Sequence, residues 1–85
     1  MINETEIYDT KETIDDIIKH DFSLCCEDDK YFFVKIITDD MYNNCVYVID
    51  KSSRKIYWMY FTDFICIEVD ARQINKKQIL DYFKV

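Results

Sequence analysis

Two short segments of the chain show helical spacing, and a block rich in aromatic and β-branched residues lies between them. Three isoleucines recur at the i, i+3, i+4 positions of one helix face: Ile14, Ile17 and Ile18. Asp9 precedes this stripe, and Glu12 stands three positions after Asp9, which is the spacing of a capping box. The pattern predicts a first helix over residues 9–20 and a loop over residues 21–30.

The central block has the composition of β-strands, with many Val, Ile, Tyr and Phe residues. The predicted strands are residues 31–38, 45–50 and 55–61, with 64–69 as a fourth strand or as a continuation of the third past a bulge. Polar turns at residues 39–44 and 51–54 separate the first three. Because parallel strands need long crossover connections, these short turns predict an antiparallel meander.

The last predicted element is a helix from Lys76 to about Phe83. Asn75 is its expected N-cap, and Gln78 occupies the reciprocal position of a capping box. A hydrophobic pair on either side of the cap completes the start signal. The sequence specifies this helix start better than that of the first helix.

These elements predict an α+β fold: one small domain over residues 1–85, with a helix, an antiparallel three- or four-stranded meander and a second helix in that order. The chain has 85 residues, 49% of them apolar, which is enough to form a core. The first and third strands are apolar on both faces, whereas two short helices cover about one face. Either the helices lie on opposite faces and bury both, or part of one face is exposed as an interface.

The charge distribution narrows the class of partner. The net charge is −6, and residues 1–30 contain ten acidic residues against three lysines, whereas residues 31–85 contain seven acidic and eight basic residues. Direct binding to nucleic acid or to an anionic membrane is disfavoured, because both need clustered Lys and Arg. A protein partner with a basic surface is favoured. The alternative is that the acids only keep an aromatic-rich domain soluble.

The residue types that carry chemistry are few. Glycine is absent, which excludes a glycine-rich phosphate loop, and His20 is the only histidine. Cys25 and Cys26 are close to His20 in sequence, but no supporting motif accompanies them, and the four cysteines lack the C-x-x-C spacing of zinc sites. We therefore expect no catalytic site, no metal and no cofactor. With no signal peptide at Met1, reduced cysteines and a cytoplasmic location are expected.

The acidic segment suggests a more specific use. On a helix, Glu12 and Asp16 are one turn apart, and a row of carboxylates at this spacing can imitate the phosphates of a nucleic acid. A solvated helix face is the alternative interpretation. The candidate partner-binding residues are five acids and two aromatic anchors: Glu12, Asp15, Asp16, Asp28, Asp29, Tyr57 and Trp58.

These observations favour a small, acidic, non-enzymatic inhibitor or immunity-type protein, of the phage anti-defence or toxin-immunity class. It would bind a basic protein such as a nuclease stoichiometrically. Residues with AT-rich codons dominate the composition, which fits a low-GC bacterium, a mobile element or a virus. The alternative function is a structural or assembly module that forms a homodimer through an exposed aromatic sheet face.

Overall fold

One antiparallel sheet organises the described part of the chain. The computed structural model describes residues 6–36, 45–60 and 72–84. Its elements are β1 (Tyr8–Asp9), α1 (Ile14–Ile17), β2 (Phe22–Glu27), β3 (Tyr31–Ile36), β4 (Cys45–Asp50), β5 (Ile56–Tyr60), β6 (Arg72–Gln73) and α2 (Lys76–Phe83). The strand order is β1-β5-β4-β3-β2-β6, and every neighbouring pair is antiparallel.

The α+β class is confirmed, but the sheet is not the simple meander that the sequence predicts. Strands β3, β4 and β5 correspond to the predicted strands, and β4 has the predicted bounds. Three strands are additional: β2 beside β3, and the two-residue strands β1 and β6 at the edges. The predicted strand at 64–69 and the turn at 39–44 lie outside the described residues.

The prediction of a helix over residues 9–20 is wrong in its bounds. The helix spans only Ile14–Ile17, and its N-cap is Thr13, not Asp9. The Thr13 hydroxyl accepts a hydrogen bond from the Asp16 amide, and the Asp16 carboxylate accepts one of 2.9 Å from the Thr13 amide. Asp9 cannot cap a helix because its backbone lies in β1, opposite Tyr57. The predicted capping box of Asp9 and Glu12 is therefore wrong, and a different one, formed by Thr13 and Asp16, starts the helix four residues later.

The prediction of a loop over residues 21–30 is also wrong, because residues 22–27 form β2. Cys25 lies opposite Val34, and Cys26 lies opposite Phe33 on β3. Successive strand residues point to opposite faces, so the two cysteines enter two different apolar layers. Pairing with β3, and not local composition, makes this segment a strand.

The last helix begins as predicted. The Gln78 amide donates to the Asn75 side chain over 3.1 Å, and the Asn75 amide donates to the Gln78 side chain over 2.9 Å. Ile79 and Phe83 are buried along the face that contacts the sheet. Lys84 ends the helix in a left-handed conformation, with φ of 56°.

Both described helices lie on the same face of the sheet. Their buried residues belong to one layer with strand residues such as Val34 and Ile49. The opposite face forms a second layer: Cys26, Tyr31, Phe33, Val46, Val48 and Met59. These side chains are buried as well, although no described helix residue belongs to that layer. Within the described residues, the central strands therefore offer no open apolar face.

A partly buried lysine joins the two hairpin turns. The Lys51 ammonium donates to the Glu27 carboxylate and, over 2.7 Å, to the Asp28 carbonyl oxygen. It also lies 4.8 Å from the centre of the Phe32 ring and 5.9 Å from that of Tyr82 on α2. The Lys51 and Glu27 side chains are only 14% and 17% exposed, so solvent screens this ion pair weakly.

Removing one member of this pair should destabilise the fold. Lys51→Met removes the Lys51 cation from the largely buried Glu27 carboxylate, so we expect the free energy of unfolding to fall by about 2–4 kcal/mol. Urea denaturation monitored by circular dichroism measures this change. Lys77→Met is the matched control, because Lys77 and Asp81 form a mostly exposed pair and should contribute little. Equal effects of the two substitutions would contradict the account.

Candidate functional site

The predicted acids gather at one end of the sheet. Consecutive strands run antiparallel, so the β2–β3 turn and the β4–β5 turn lie at the same end, called here the turn end. Asp28 and Asp29 belong to the first of these turns. Glu12 and Asp15 line a shallow cleft of about 310 Å³ with Arg54 of the second turn. Segments that are distant in sequence are thus brought to one end of the molecule.

Two of the predicted acids have structural roles. Asp16 completes the cap of α1, and hydrogen bonds from the Thr13 amide and hydroxyl hold the pKa of the Asp16 carboxyl below its usual value. The Asp28 carboxylate accepts hydrogen bonds of 2.9 and 2.8 Å from the Lys30 and Tyr31 amides, which close the turn. Their carboxylates are therefore committed to local structure more than to a partner.

The other predicted acids reach solvent to different degrees. Asp15 and Asp29 are exposed, and Glu12 is half-buried. Asp29 lines a separate cleft of about 400 Å³ that includes Lys51 and Tyr82. Asp15 and Asp29 are therefore the members of the predicted set best placed to contact another protein.

The acids do not form a surface of one sign. Arg54 and Lys55 stand beside Glu12 and Asp15 in the same cleft, and Lys55 lies 3.5 Å from Asp9. The described residues contain eleven acidic and eleven basic side chains, so the excess of six negative charges belongs to the sequence outside them. The acidic first segment folds against the bases of the β4–β5 turn, which offset part of its negative charge.

An aromatic group, called here the edge cluster, lies along β1 and β5 and consists of Tyr8, Trp58 and Tyr60. The Tyr8 and Trp58 ring centres are 4.8 Å apart, and those of Trp58 and Tyr60 are 5.1 Å apart. Tyr8 is 44% exposed and Tyr60 is 47% exposed, whereas Trp58 packs partly against the helix-side layer. Large exposed aromatic residues in contact with one another are typical of interface anchors.

The two predicted anchors lie on opposite faces of the sheet. Trp58 points to the helix-side layer and its neighbour Tyr57 to the second layer, because side chains alternate along a strand. Tyr57 lines a cleft of about 570 Å³, called here the tyrosine cleft. Its lining residues are Ile7, Tyr8, Asp9, Tyr31, Asp50 and Tyr57. The two anchors therefore belong to two different surfaces, one on each face of the sheet next to β1.

Sequence reasoning missed Tyr8 and Tyr60. Tyr60 lies two residues after Trp58 in the predicted third strand, and because side chains alternate along a strand, both are expected on the same face. Tyr8 carried no such signal, since its position depends on the pairing of β1 with β5, a contact between residues fifty positions apart.

Cys25 and His20 do not share an environment. Cys25 is buried, and burial is the main reason that the pKa of its thiol rises to about 12. His20 is exposed at the end of the α1 segment. Among residues 6–36, 45–60 and 72–84, no group of three His, Cys, Asp or Glu side chains is arranged to hold a metal ion. No described helix has the length and apolar character to cross a membrane.

In comparisons with known proteins, no family model, no curated protein and no solved structure matches this chain.

The buried environment of Cys25 predicts that its thiol reacts slowly with alkylating reagents. At pH 8 a thiol with a pKa of about 12 is almost entirely protonated, and the thiolate is the reactive species. Iodoacetamide should therefore label the half-buried Cys45 before Cys25, and should label Cys25 quickly only in urea. Peptide mapping by mass spectrometry measures both rates. Native labelling of Cys25 as fast as in the unfolded chain would show that this thiol is not protected.

Proposed function

We propose that the protein is a small, non-enzymatic inhibitor or immunity-type protein of the cytoplasm. In this proposal it binds a basic protein, such as a nuclease, in a stoichiometric complex and blocks it. Phage anti-defence proteins and toxin-immunity proteins are the broad class. The contact surface comprises the edge cluster and the neighbouring turn end.

The observation that carries the proposal is the edge cluster. Protein interfaces concentrate their binding energy in a few aromatic anchors, and exposed rings in mutual contact supply rigid apolar area at low entropic cost. Tyr8 and Tyr60 offer such area, and Trp58 joins them to the core. These side chains would form the centre of the contact.

Charge supplies the preference for a basic partner. The whole chain carries −6, which accelerates the encounter with a positive surface at low ionic strength. At short range, exposed Asp15 and Asp29 at the turn end would contact positive groups of the partner. Because local bases neutralise many of the other acids, imitation of a nucleic-acid backbone would involve only these few carboxylates.

The alternative function is a homodimerising assembly module, and in this proposal its dimer contact lies at the β1 edge and not on the sheet face. Met59 is fully buried and Tyr57 is half-buried, so the aromatic sheet face expected from the sequence is largely closed at these residues. The edge cluster and the edge strand β1 favour a second copy at this edge instead, since an edge strand has backbone groups able to pair with another chain.

Charge reversal at the exposed acids tests the proposal. Tagged protein is incubated with lysate of the source organism at low and at high salt, and the captured partner is then measured with purified components. We expect one basic protein at a 1:1 ratio, lost at high salt. Asp15→Lys combined with Asp29→Lys should slow its association about tenfold and flatten the salt dependence.

Asp21→Lys is the matched control. Asp21 is exposed and precedes β2 at the opposite end of the sheet, so it changes the net charge without changing the turn end. Equal effects of Asp21→Lys and of either turn-end substitution would contradict the proposed surface. Recovery of only the protein itself, as a salt-resistant complex, would replace the inhibitor with the assembly module.

A further inference from the structure

The tyrosine cleft has the chemistry of a site for a cation. It lies beside β1 at the turn end, on the face away from the helices, and it has a volume of about 570 Å³. Tyr57 on β5 and Tyr31 on β3 flank it, with β4 between them, so their strands are about 9–10 Å apart. This spacing leaves room for one side-chain head group above β4.

Two carboxylates border the cleft. Asp9 lies directly opposite Tyr57 in the β1–β5 pair, and Asp50 lies opposite Tyr31 in the β3–β4 pair. The Asp50 carboxylate is fixed by hydrogen bonds from the Ser52 amide and hydroxyl and from the Ser53 amide. These bonds, led by that of Ser53, lower the pKa of Asp50, so it is ionised at neutral pH.

The chain itself already places a cation at the border of this cleft. The Lys55 ammonium lies 3.5 Å from the Asp9 carboxylate and 5.1 Å from the centre of the Tyr57 ring. Lys55 directly precedes β5, two residues before Tyr57, and its ammonium lies over the Tyr57 ring on the same side. The Lys55 and Asp9 side chains are 56% and 81% exposed, and such pairs are weak and easily exchanged.

We infer that the tyrosine cleft binds an arginine side chain of a basic protein partner, and that Lys55 occupies part of this position in the free protein. This inference rests on the proposed function for its choice of a protein side chain as the ligand. On binding, the partner's guanidinium takes the place of the Lys55 ammonium between Asp9 and Tyr57, and Lys55 turns to solvent.

Arginine fits the cleft better than lysine. Its planar guanidinium stacks on an aromatic ring while its edge donates two parallel hydrogen bonds to a carboxylate. Asp9 and Tyr57 offer these two partners side by side. A lysine ammonium, as Lys55 shows, makes only point contacts with the same groups.

The experiment titrates blocked arginine, N-acetyl-arginine methylamide, into the whole protein and follows backbone amides by NMR. The neutral citrulline analogue of the same shape is the probe control. We expect shifts centred on Asp9, Asp50 and Tyr57 with the arginine probe only. Lys55→Met should tighten its binding about two- to fivefold by removing the internal competitor, and Tyr57→Leu and Asp9→Asn should each weaken it.

Lys77→Met is the matched protein control, because it removes from α2 another lysine that is mostly exposed and ion-paired, with a side chain 79% exposed against 56% for Lys55. If Lys55→Met and Lys77→Met change the affinity equally, general charge attraction explains the binding and the inference is overturned. Shifts centred elsewhere, or equal binding of the citrulline probe, would also overturn it.

The proposed arginine site and the proposed function can be refuted independently of each other. The probe experiment needs no partner, so the cleft is refuted without reference to the lysate result. If a basic partner is captured but its affinity is the same for the wild type and for Tyr57→Leu, the function stands and the cleft is not its site.

Discussion

The structure depends on one constraint: the central strands β3, β4 and β5 are apolar on both faces. Adjacent residues such as Phe32 and Phe33, or Val48 and Ile49, point in opposite directions and are all buried. Burial of each side chain of this size contributes about 1.5–3 kcal/mol, so neither face can be left in water without a large loss of stability. Among the described residues, the large aromatic side chains that are exposed lie at the sheet edge and on α2.

The burial of both faces of the central strands also restricts where charged side chains can lie. Several charged side chains of the described residues lie at the turn end, among them Asp15, Asp29 and Arg54. There the acids of the first thirty residues meet the bases of the β4–β5 turn, as in the Glu27–Lys51 and Asp9–Lys55 pairs. A segment that is strongly acidic in sequence thus becomes a surface of mixed charge.

Local signals were sufficient for part of the fold. The β4–β5 hairpin follows from alternating apolar residues on either side of a short polar turn, and α2 follows from the Asn75–Gln78 capping box. Both signals lie within a few residues of the structure that they specify. In both cases tertiary packing reinforces the local preference.

Other elements depend on contacts that no local pattern shows. Strand β2 forms because its cysteines pair with β3, and Asp9 enters a strand because β5 lies beside it. The positions of the candidate site residues depend on local sequence to different degrees. Asp15 and Asp29 are exposed as expected, whereas the edge cluster needed Tyr8, which only long-range pairing brings to Trp58.

The central claim is that the β1–β5 edge contacts a basic protein. Its most direct test places a photo-crosslinking phenylalanine derivative at Tyr8 and, separately, at Lys77, which is exposed in the first turn of α2, four residues after the opposite edge strand β6. Both proteins are irradiated in lysate of the source organism, and the crosslinked species are identified by mass. The account predicts one basic protein joined at position 8 and absent at position 77. The same products at both positions, or none at position 8, would contradict it.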